Sequence, residues 1–393
     1  MRIALVSQAY PPATGGGGIS TQTYAKAHGL AALGHEVHVV SHSPDTSRHR
    51  AWDGDVSVLR IPSADARLAV HTEPVRWLTY SVEVAAALAE LRSRAPLDLV
   101  DFPEYGAEGY VHLLNQTEWN HVASVVQLHG PLVMLAHTIG WPEIDSEFYR
   151  AGVAMEGTCV RLADAVYSSS HCSVDWCARD YGLDPERVPI LHTGVDTARF
   201  CPVRLAKDPR PTIIFVGKLV ANKGVEALVE AACRLAGEFP DLQVRLIGRA
   251  EADMADRLQS QAARAGLPSL IDWPGFIEHA QLPEHLCRAH VFAAPSVYEG
   301  GPGFVYLEAR ACGLPAVACA GSGAAEAIRD GETGLLVPPG DVEALAEALR
   351  RLLAEADVRE SMGRRAREYV LAEADRDACI RRIEAFYKSV AQS

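Results

Sequence analysis

Short, almost uninterrupted apolar runs alternate with helical patterns along nearly the whole chain, and this alternation constrains the fold more than any other feature. "RIALVSQ" (2–8), "HEVHVVSH" (35–42), "VSVLRIP" (56–62), "LDLVDF" (97–102), "VASVVQLH" (122–129) and "DAVYSSS" (164–170) read as strands. Between them, "ISTQTYAKAHGLAALG" and "VEVAAALAELRSR" carry the period of crossover helices. A second series contains "TIIFVG" (212–217), "LQVRLIG" (242–248), "LIDWPG" (270–275), "HVFAAPS" (290–296) and "PAVACA" (315–320), again separated by helices such as "VEALVEAACRLAGEF". Strands apolar on nearly every residue belong to parallel sheets covered on both faces. The expected fold is α/β, with two doubly wound domains in tandem.

The proline- and charge-rich stretch "RFCPVRLAKDPRP" (199–211) has the composition of an interdomain linker. The expected division is 1–196, 197–372 and a terminal helical segment, 373–393, that returns to the first domain. Such sheets bind ligands beyond the carboxyl ends of their strands, and two of them facing each other would form a cleft. Chemistry is therefore sought just after strands.

At 393 residues the chain can bury two such cores without staples. A formal net charge of −13, with no run of lysine or arginine, argues against nucleic acid as a partner, because a phosphate backbone demands a basic face. The nine cysteines show no CxxC pair and no metal-like spacing, so free reduced thiols and no metal site are expected, with Cys172 and Cys177 as small helix residues. The start "MRIALVSQ" enters a strand pattern at once, unlike a signal peptide, and no apolar stretch approaches the ~18–20 residues of a membrane span. A cytoplasmic location without a transmembrane segment is expected, and peripheral membrane contact stays open.

Three loops after strands carry residues suited to chemistry. Gly15 to Gly18 precede the first helix, where loss of every Cβ lets backbone N–H groups approach an anion or a sugar. The glycines lack the G-x-G-x-x-G spacing of a nicotinamide site. After "TIIFVG", Lys218 and Lys223 flank a turn, as two cations would around a diphosphate. After "HVFAAPS", the stretch "SVYEGGPGFVYLEARACG" (296–313) places Gly300, Gly301 and Gly303 around Pro302 at a helix start. The N–H groups of Gly303, Phe304 and Val305 would point at a phosphate. Glu308 lies one turn inside that helix within an apolar run, a poor place for an idle charge, and a carboxylate can accept hydrogen bonds from both hydroxyls of a ribose.

Taken in order, "PPATGG", "HTGVD", "VGKLVANKG", "WPGF", "PSVYEGGPGFVYLEARACGLPAV" and "DGETGLLVPPGD" resemble the retaining glycosyltransferases of family 4 (group 1), which have the two-domain GT-B fold. The resemblance covers nearly the whole chain. It implies two Rossmann-like domains facing across a cleft, with 1–196 on the acceptor side and 197–372 binding a nucleotide-sugar donor. Lys218 and Lys223 would neutralise the nucleotide diphosphate, Glu308 would hold the ribose, and the segment around Phe276 would flank the base. His129 in "VVQLHGP" would contact the donor sugar and line the reaction centre, with Gly16 and Gly17 closing on the phosphate and donor. Gly301, Gly303, Phe304 and Val305 complete the donor set.

Two departures from the family pattern stand out. The family has seven residues between its two glutamates, whereas eight separate Glu299 from Glu308, and Gly300 occupies the regular position. Either the loop bulges by one residue and Glu299 still reaches the sugar hydroxyls, or backbone groups of the Gly-Gly-Pro-Gly turn replace it. Thr193 stands where the family commonly has asparagine in N-G-V-D. In "DFPEYGAEGY" (101–110), Glu104 and Tyr105 follow a strand of the first domain and are candidates for meeting an acceptor, the bland reading being a helix cap with an exposed tyrosine. The resemblance implies a metal-free, cofactor-free transfer from a nucleotide diphosphate sugar, UDP before GDP, to a hydroxyl-bearing small molecule, natural product or glycan. A sugar-nucleotide 2-epimerase of the same architecture and a non-catalytic nucleotide-sugar-binding protein are the alternatives.

Overall fold

A computed structural model of the protein describes residues 1–15, 17–45, 47–62, 72–203, 205–251 and 253–392. The chain forms two compact units, one from Met1–Thr193 together with the C-terminal segment beginning at Arg376, the other from Gly194–Asp375.

The first unit holds a seven-stranded sheet: β1 (Arg2–Val6), β2 (Glu36–His42), β3 (His49–Asp53), β4 (Val56–Ile61), β5 (Leu99–Pro103), β6 (Ala123–Leu128) and β7 (Ala165–Ser168), in the order β3-β4-β2-β1-β5-β6-β7. Every pairing is parallel except β3 with β4, a hairpin turned at Gly54 with φ +57°. "HRAWD" escaped the sequence reading because this edge strand is largely solvated and has no apolar run. The parallel strands are buried along most of their length, as their unbroken apolar character requires. Helix Arg376–Ala391 packs on helix Gly18–Ala32 so closely that a Cβ at Gly29 would stand 2.7 Å from Ile380 Cγ1.

The second unit holds six parallel strands: β8 (Thr212–Val216), β9 (Gln243–Ile247), β10 (Ile271–Gly275), β11 (Val291–Ala294), β12 (Ala316–Cys319) and β13 (Gly334–Val337), in the order β10-β9-β8-β11-β12-β13. In each sheet the chain starts in the middle, completes one side first, then returns to build the other. The strand order therefore reverses between β1 and β5 in one unit and between β8 and β11 in the other, and the crevice beyond those strand ends is where such sheets take ligands.

The stretch 199–211 is not a free linker, because its residues are built into the second unit. Phe200 is fully buried, Lys207 Nζ donates to the Ala289 carbonyl at 2.6 Å, and Asp208 accepts from Arg245 at 2.7 Å. The composition of a linker arises here from a surface segment in which Lys207, Asp208 and Arg210 each have a partner.

Glycines end the strands that lead into the second unit's loops. Gly217 (φ +153°) donates to Ile247 O, and Gly248 (φ +145°) donates to Gly275 O, both at 2.9 Å. A Cβ on Gly248 would lie 1.8 Å from the Gly217 carbonyl oxygen. Gly248→Ala is expected to destabilise this unit by more than about 2 kcal/mol, from strained φ plus the clash. Urea unfolding measures it, and an unchanged midpoint would show that the two backbones are not held this close.

Candidate active site

The loops after β8 and β11 meet at the strand-order reversal of the second unit, and backbone contacts hold them together. Gly224 has φ +70°, and a Cβ there would lie 2.2 Å from the Pro295 carbonyl oxygen, so only glycine permits this approach. The carbonyl of Asn222 accepts from Val297 N at 3.0 Å and from Ser296 Oγ at 3.2 Å. The result brings Lys223 Nζ to 2.6 Å from Glu299 Oε1. Lys218, five residues earlier in the same loop after β8, is exposed, and its side chain has no hydrogen-bond or ion-pair partner among the described residues.

The loop before Glu308 packs against the loop that holds Gly323. Gly323 N donates to Glu299 O at 2.8 Å, and a Cβ on Gly323 would stand 2.6 Å from Gly301 N. Glu299 therefore faces Lys223, with Gly301 pressed against the neighbouring loop. Gly303, with φ +65°, precedes helix Phe304–Ala311, and Tyr306 anchors that helix by donating its hydroxyl to the Ala294 carbonyl at the end of β11. Phe304 and Val305, in the first turn, are half-buried. Glu308 is buried, and its Oε1 lies 2.6 Å from His279 Nε2. Phe276, beyond β10, is 58% exposed, with the Arg249 guanidinium 5.0 Å above its ring. Lys223, Glu299, Gly301, Gly303, Phe304, Val305, Glu308 and Phe276 thus all follow the carboxyl ends of strands in one unit.

In the first unit, the loop after β1 is gripped from below by buried Arg60, which donates to Tyr10 O at 2.9 Å and Thr14 Oγ1 at 3.0 Å. Gly16 lies outside the described residues. Gly17 caps helix Gly18–Ala32 in extended backbone, and a Cβ at Gly17 or Gly18 would meet no atom of the described residues within 4 Å. His129 follows β6. Loss of water around its ring, and then the charge of Lys26, push its pKa well below the ordinary imidazole value, so it is neutral near pH 7.

Glu104, named as an acceptor candidate, is fully buried, and its Oε1 accepts from the backbone N–H of His129 at 2.6 Å and of Gly130 at 2.5 Å. The apparent loop acid is a staple joining the exits of β5 and β6. Tyr105 is neither a cap residue nor fully exposed, since its ring is half-buried edge-on to Trp77 at 5.5 Å. Glu108 ties the same loop to the exit of β1 by accepting from Gln8 N at 3.1 Å, and Glu156 accepts from Leu132 N at 2.8 Å and Tyr181 Oη at 2.5 Å. Burial pushes Glu104 up to about 7, Glu108 up to about 8 and Glu156 well above its usual range.

Beneath these loops lies a polar cluster that the sequence did not announce. Lys26 Nζ donates to Asp101, to Gln127 Oε1 at 2.6 Å and to Tyr167 Oη at 2.8 Å, while Tyr387 of the C-terminal helix donates to Asp101. Gln127 in turn donates to Gln22 Oε1 at 2.8 Å, which also accepts from Thr193 Oγ1 at 3.3 Å. The one available signal was a lysine on the buried stripe of the first helix, beside Thr23, Ala27 and Leu30. His279 and Arg249 gave none, because each stands in a loop without periodicity.

Residues 16–199 match the model of Glycosyltransferase Family 4, and residues 199–369 match that of Glycosyl transferases group 1. The alpha-maltose-1-phosphate synthase of Mycolicibacterium smegmatis is 32% identical, over 97% of this chain and 95% of the relative. Among solved structures, sucrose-phosphate synthase from Thermosynechococcus elongatus superposes with a TM-score of 0.83 at 24% identity, covering 100% of both chains. HepE of Anabaena in complex with UDP-glucose does so with 0.75 at 18% identity, over 99% of this chain and 100% of that one. The chain belongs to the group 1, family 4 glycosyltransferases, and its fold is GT-B. No helix among the described residues is long and apolar enough to cross a membrane.

The buried acids of the first unit make its stability fall with pH. A carboxyl whose folded pKa is raised keeps its proton where the unfolded chain has lost it, so its contribution is full below about 4.5 and declines as pH rises through about 8 for Glu108. Glu108→Gln keeps the oxygen that accepts from Gln8 and cannot ionise. The melting temperature of the variant minus that of the wild type is expected to rise between roughly pH 5 and 8.5, by about 2–4 °C per kcal/mol of penalty removed. A flat difference would show that Glu108 titrates normally.

Proposed function

We propose that the protein transfers a sugar from a nucleotide diphosphate donor, UDP before GDP, to a hydroxyl of a small-molecule, natural-product or glycan acceptor, with retention of anomeric configuration and without a metal. The observation that carries this reading is the placement of Lys223 against Glu299 at the strand-order reversal of the second unit, beside the start of helix Phe304–Ala311. A diphosphate set there would meet Lys218, Lys223 and backbone N–H groups of the first helical turn, each charge-assisted contact contributing roughly 1.5–3 kcal/mol. Glu308 would take the ribose hydroxyls, Phe276 would flank the base, and Glu299 would accept from sugar hydroxyls while it orients Lys223.

Gly17 and Gly18 favour the same reading, because nothing in the described structure requires glycine at either position. Their want of side chains suits the close approach of a donor. Neutral His129 would offer a hydrogen bond to the sugar without adding charge. In the proposed front-face reaction, the anomeric C–O bond to the diphosphate breaks as the acceptor oxygen bonds to the same face, and the acceptor proton passes to the leaving diphosphate oxygen. No protein nucleophile is needed. The rate then depends on stabilising the developing diphosphate charge, which falls to the two lysines and the helix start. The UDP-glucose held by HepE supports a nucleotide-linked sugar as donor.

Calorimetric titration with UDP, GDP and ADP in the presence of a chelator tests the donor assignment, with tight binding of one diphosphate expected and binding of none counting against it. Lys223→Ala is expected to lower turnover at least about a hundredfold with an unchanged melting temperature. Near-wild-type turnover would remove Lys223 from the mechanism.

A further inference from the structure

Glu308 presents a problem that the ribose alone does not solve. Its side chain is only 4% exposed, between buried Leu307 and Ala309 on the helix that starts at Phe304. A buried carboxylate is costly without hydrogen bonds and free to choose a useless rotamer without a fixed partner. That partner is His279, whose Nε2 lies 2.6 Å from Glu308 Oε1.

His279 is itself located by packing. Its ring centroid lies 5.1 Å from that of Phe200, which is fully buried, while its side chain remains 52% exposed. One edge of the imidazole is therefore fixed between an apolar wall and a carboxylate, and the remainder is open. Since an ionised carboxylate only accepts, Nε2 donates and engages one lone pair of Oε1. The second lone pair of Oε1 and those of Oε2 remain for two further donors, the number that the vicinal hydroxyls of a ribose supply.

We propose that His279 is a positioning residue of the donor site, holding the Glu308 carboxylate in the orientation that accepts both ribose hydroxyls. The inference rests on the nucleotide reading of the second unit given above. It makes a specific claim: the energetic effect of His279 is transmitted through the hydroxyls of the ribose and not through the phosphates or the base.

The test compares binding of UDP and 2′-deoxy-UDP, or the matching GDP pair if guanine is the preferred base, to the wild type, His279→Ala, His279→Gln and Glu308→Ala. Wild type is expected to favour the ribonucleotide by about tenfold, a single good hydrogen bond to a charged acceptor. His279→Ala should lose about that factor for the ribonucleotide and little for the deoxy form, so that its preference collapses toward that of Glu308→Ala. His279→Gln, whose amide N–H can still reach the carboxylate, should restore part of it. Melting temperatures of the variants separate a folding defect from this effect. An equal loss for both nucleotides, unchanged binding, or tighter binding by His279→Ala would overturn the role of His279 while leaving the nucleotide site standing. Failure of the wild type to bind any diphosphate would instead overturn the nucleotide reading and this inference with it.

Discussion

The approach of Gly224 to the carbonyl of Pro295 decides what the loop cluster at the strand-order reversal of the second unit can be. A Cβ at 224 would lie 2.2 Å from that oxygen, so the loop after β8 can touch the loop after β11 only through a residue without a side chain. Once the two backbones touch, Asn222 O receives the N–H of Val297, and Lys223, next in sequence, is left beside Glu299. The strand order puts β8 and β11 side by side, but it is the backbone contact that sets two charged side chains within hydrogen-bond range. Gly323 and Gly248 repeat the device, each allowing a loop or strand end to rest on its neighbour's backbone.

The first unit solves the same problem with carboxylates. Glu104 and Glu108, both from the loop after β5, reach sideways to backbone N–H groups after β6 and after β1, and so tie three adjacent strand exits together. The neighbouring oxygens, Glu104 Oε2 and Glu108 Oε2, are buried without a hydrogen-bond partner among the described residues, and burial raises these pKa values despite the backbone donors. Glycine contacts cannot respond to pH. Acid staples can, and His129 is carried on one of them.

The fold was legible because parallel strands buried on both faces leave unbroken apolar runs, and because the family motifs stand in order along the chain. What escaped was either exposed or held by long-range contacts. Strand β3 is an edge strand with no fully buried residue and with polar side chains at His49, Arg50 and Asp53, so no apolar run marks "HRAWD". The stretch 199–211 looked like a linker because prolines and charges weigh the same in composition whether or not Arg245 stands opposite Asp208. Lys218, Lys223 and Glu308 could be named because local spacing places them at strand exits and a helix start. Glu104 was visible as an acid after a strand, but its direction was not, since that depends on the His129 backbone twenty-five residues later. His279 was invisible for the same reason, lying twenty-nine residues before the carboxylate it serves.

Burial explains which charges of this loop cluster in the second unit have partners within the chain. Lys218 is exposed and needs none, because water solvates it at no cost. Lys223 has a side chain 27% exposed and Glu308 one only 4% exposed, and each is paired, with Glu299 and His279 respectively. Binding a nucleotide diphosphate at such a site exchanges one set of hydrogen bonds for another, so affinity is a difference between two satisfied states and not the sum of new contacts. Such an exchange favours a ligand that brings more charge than Glu299 does. A diphosphate can draw on Lys223 and Lys218 together, whereas a singly charged anion must compete with a carboxylate already 2.6 Å from the lysine. The internal ion pair that keeps Lys223 in place therefore also sets a threshold of charge for its replacement.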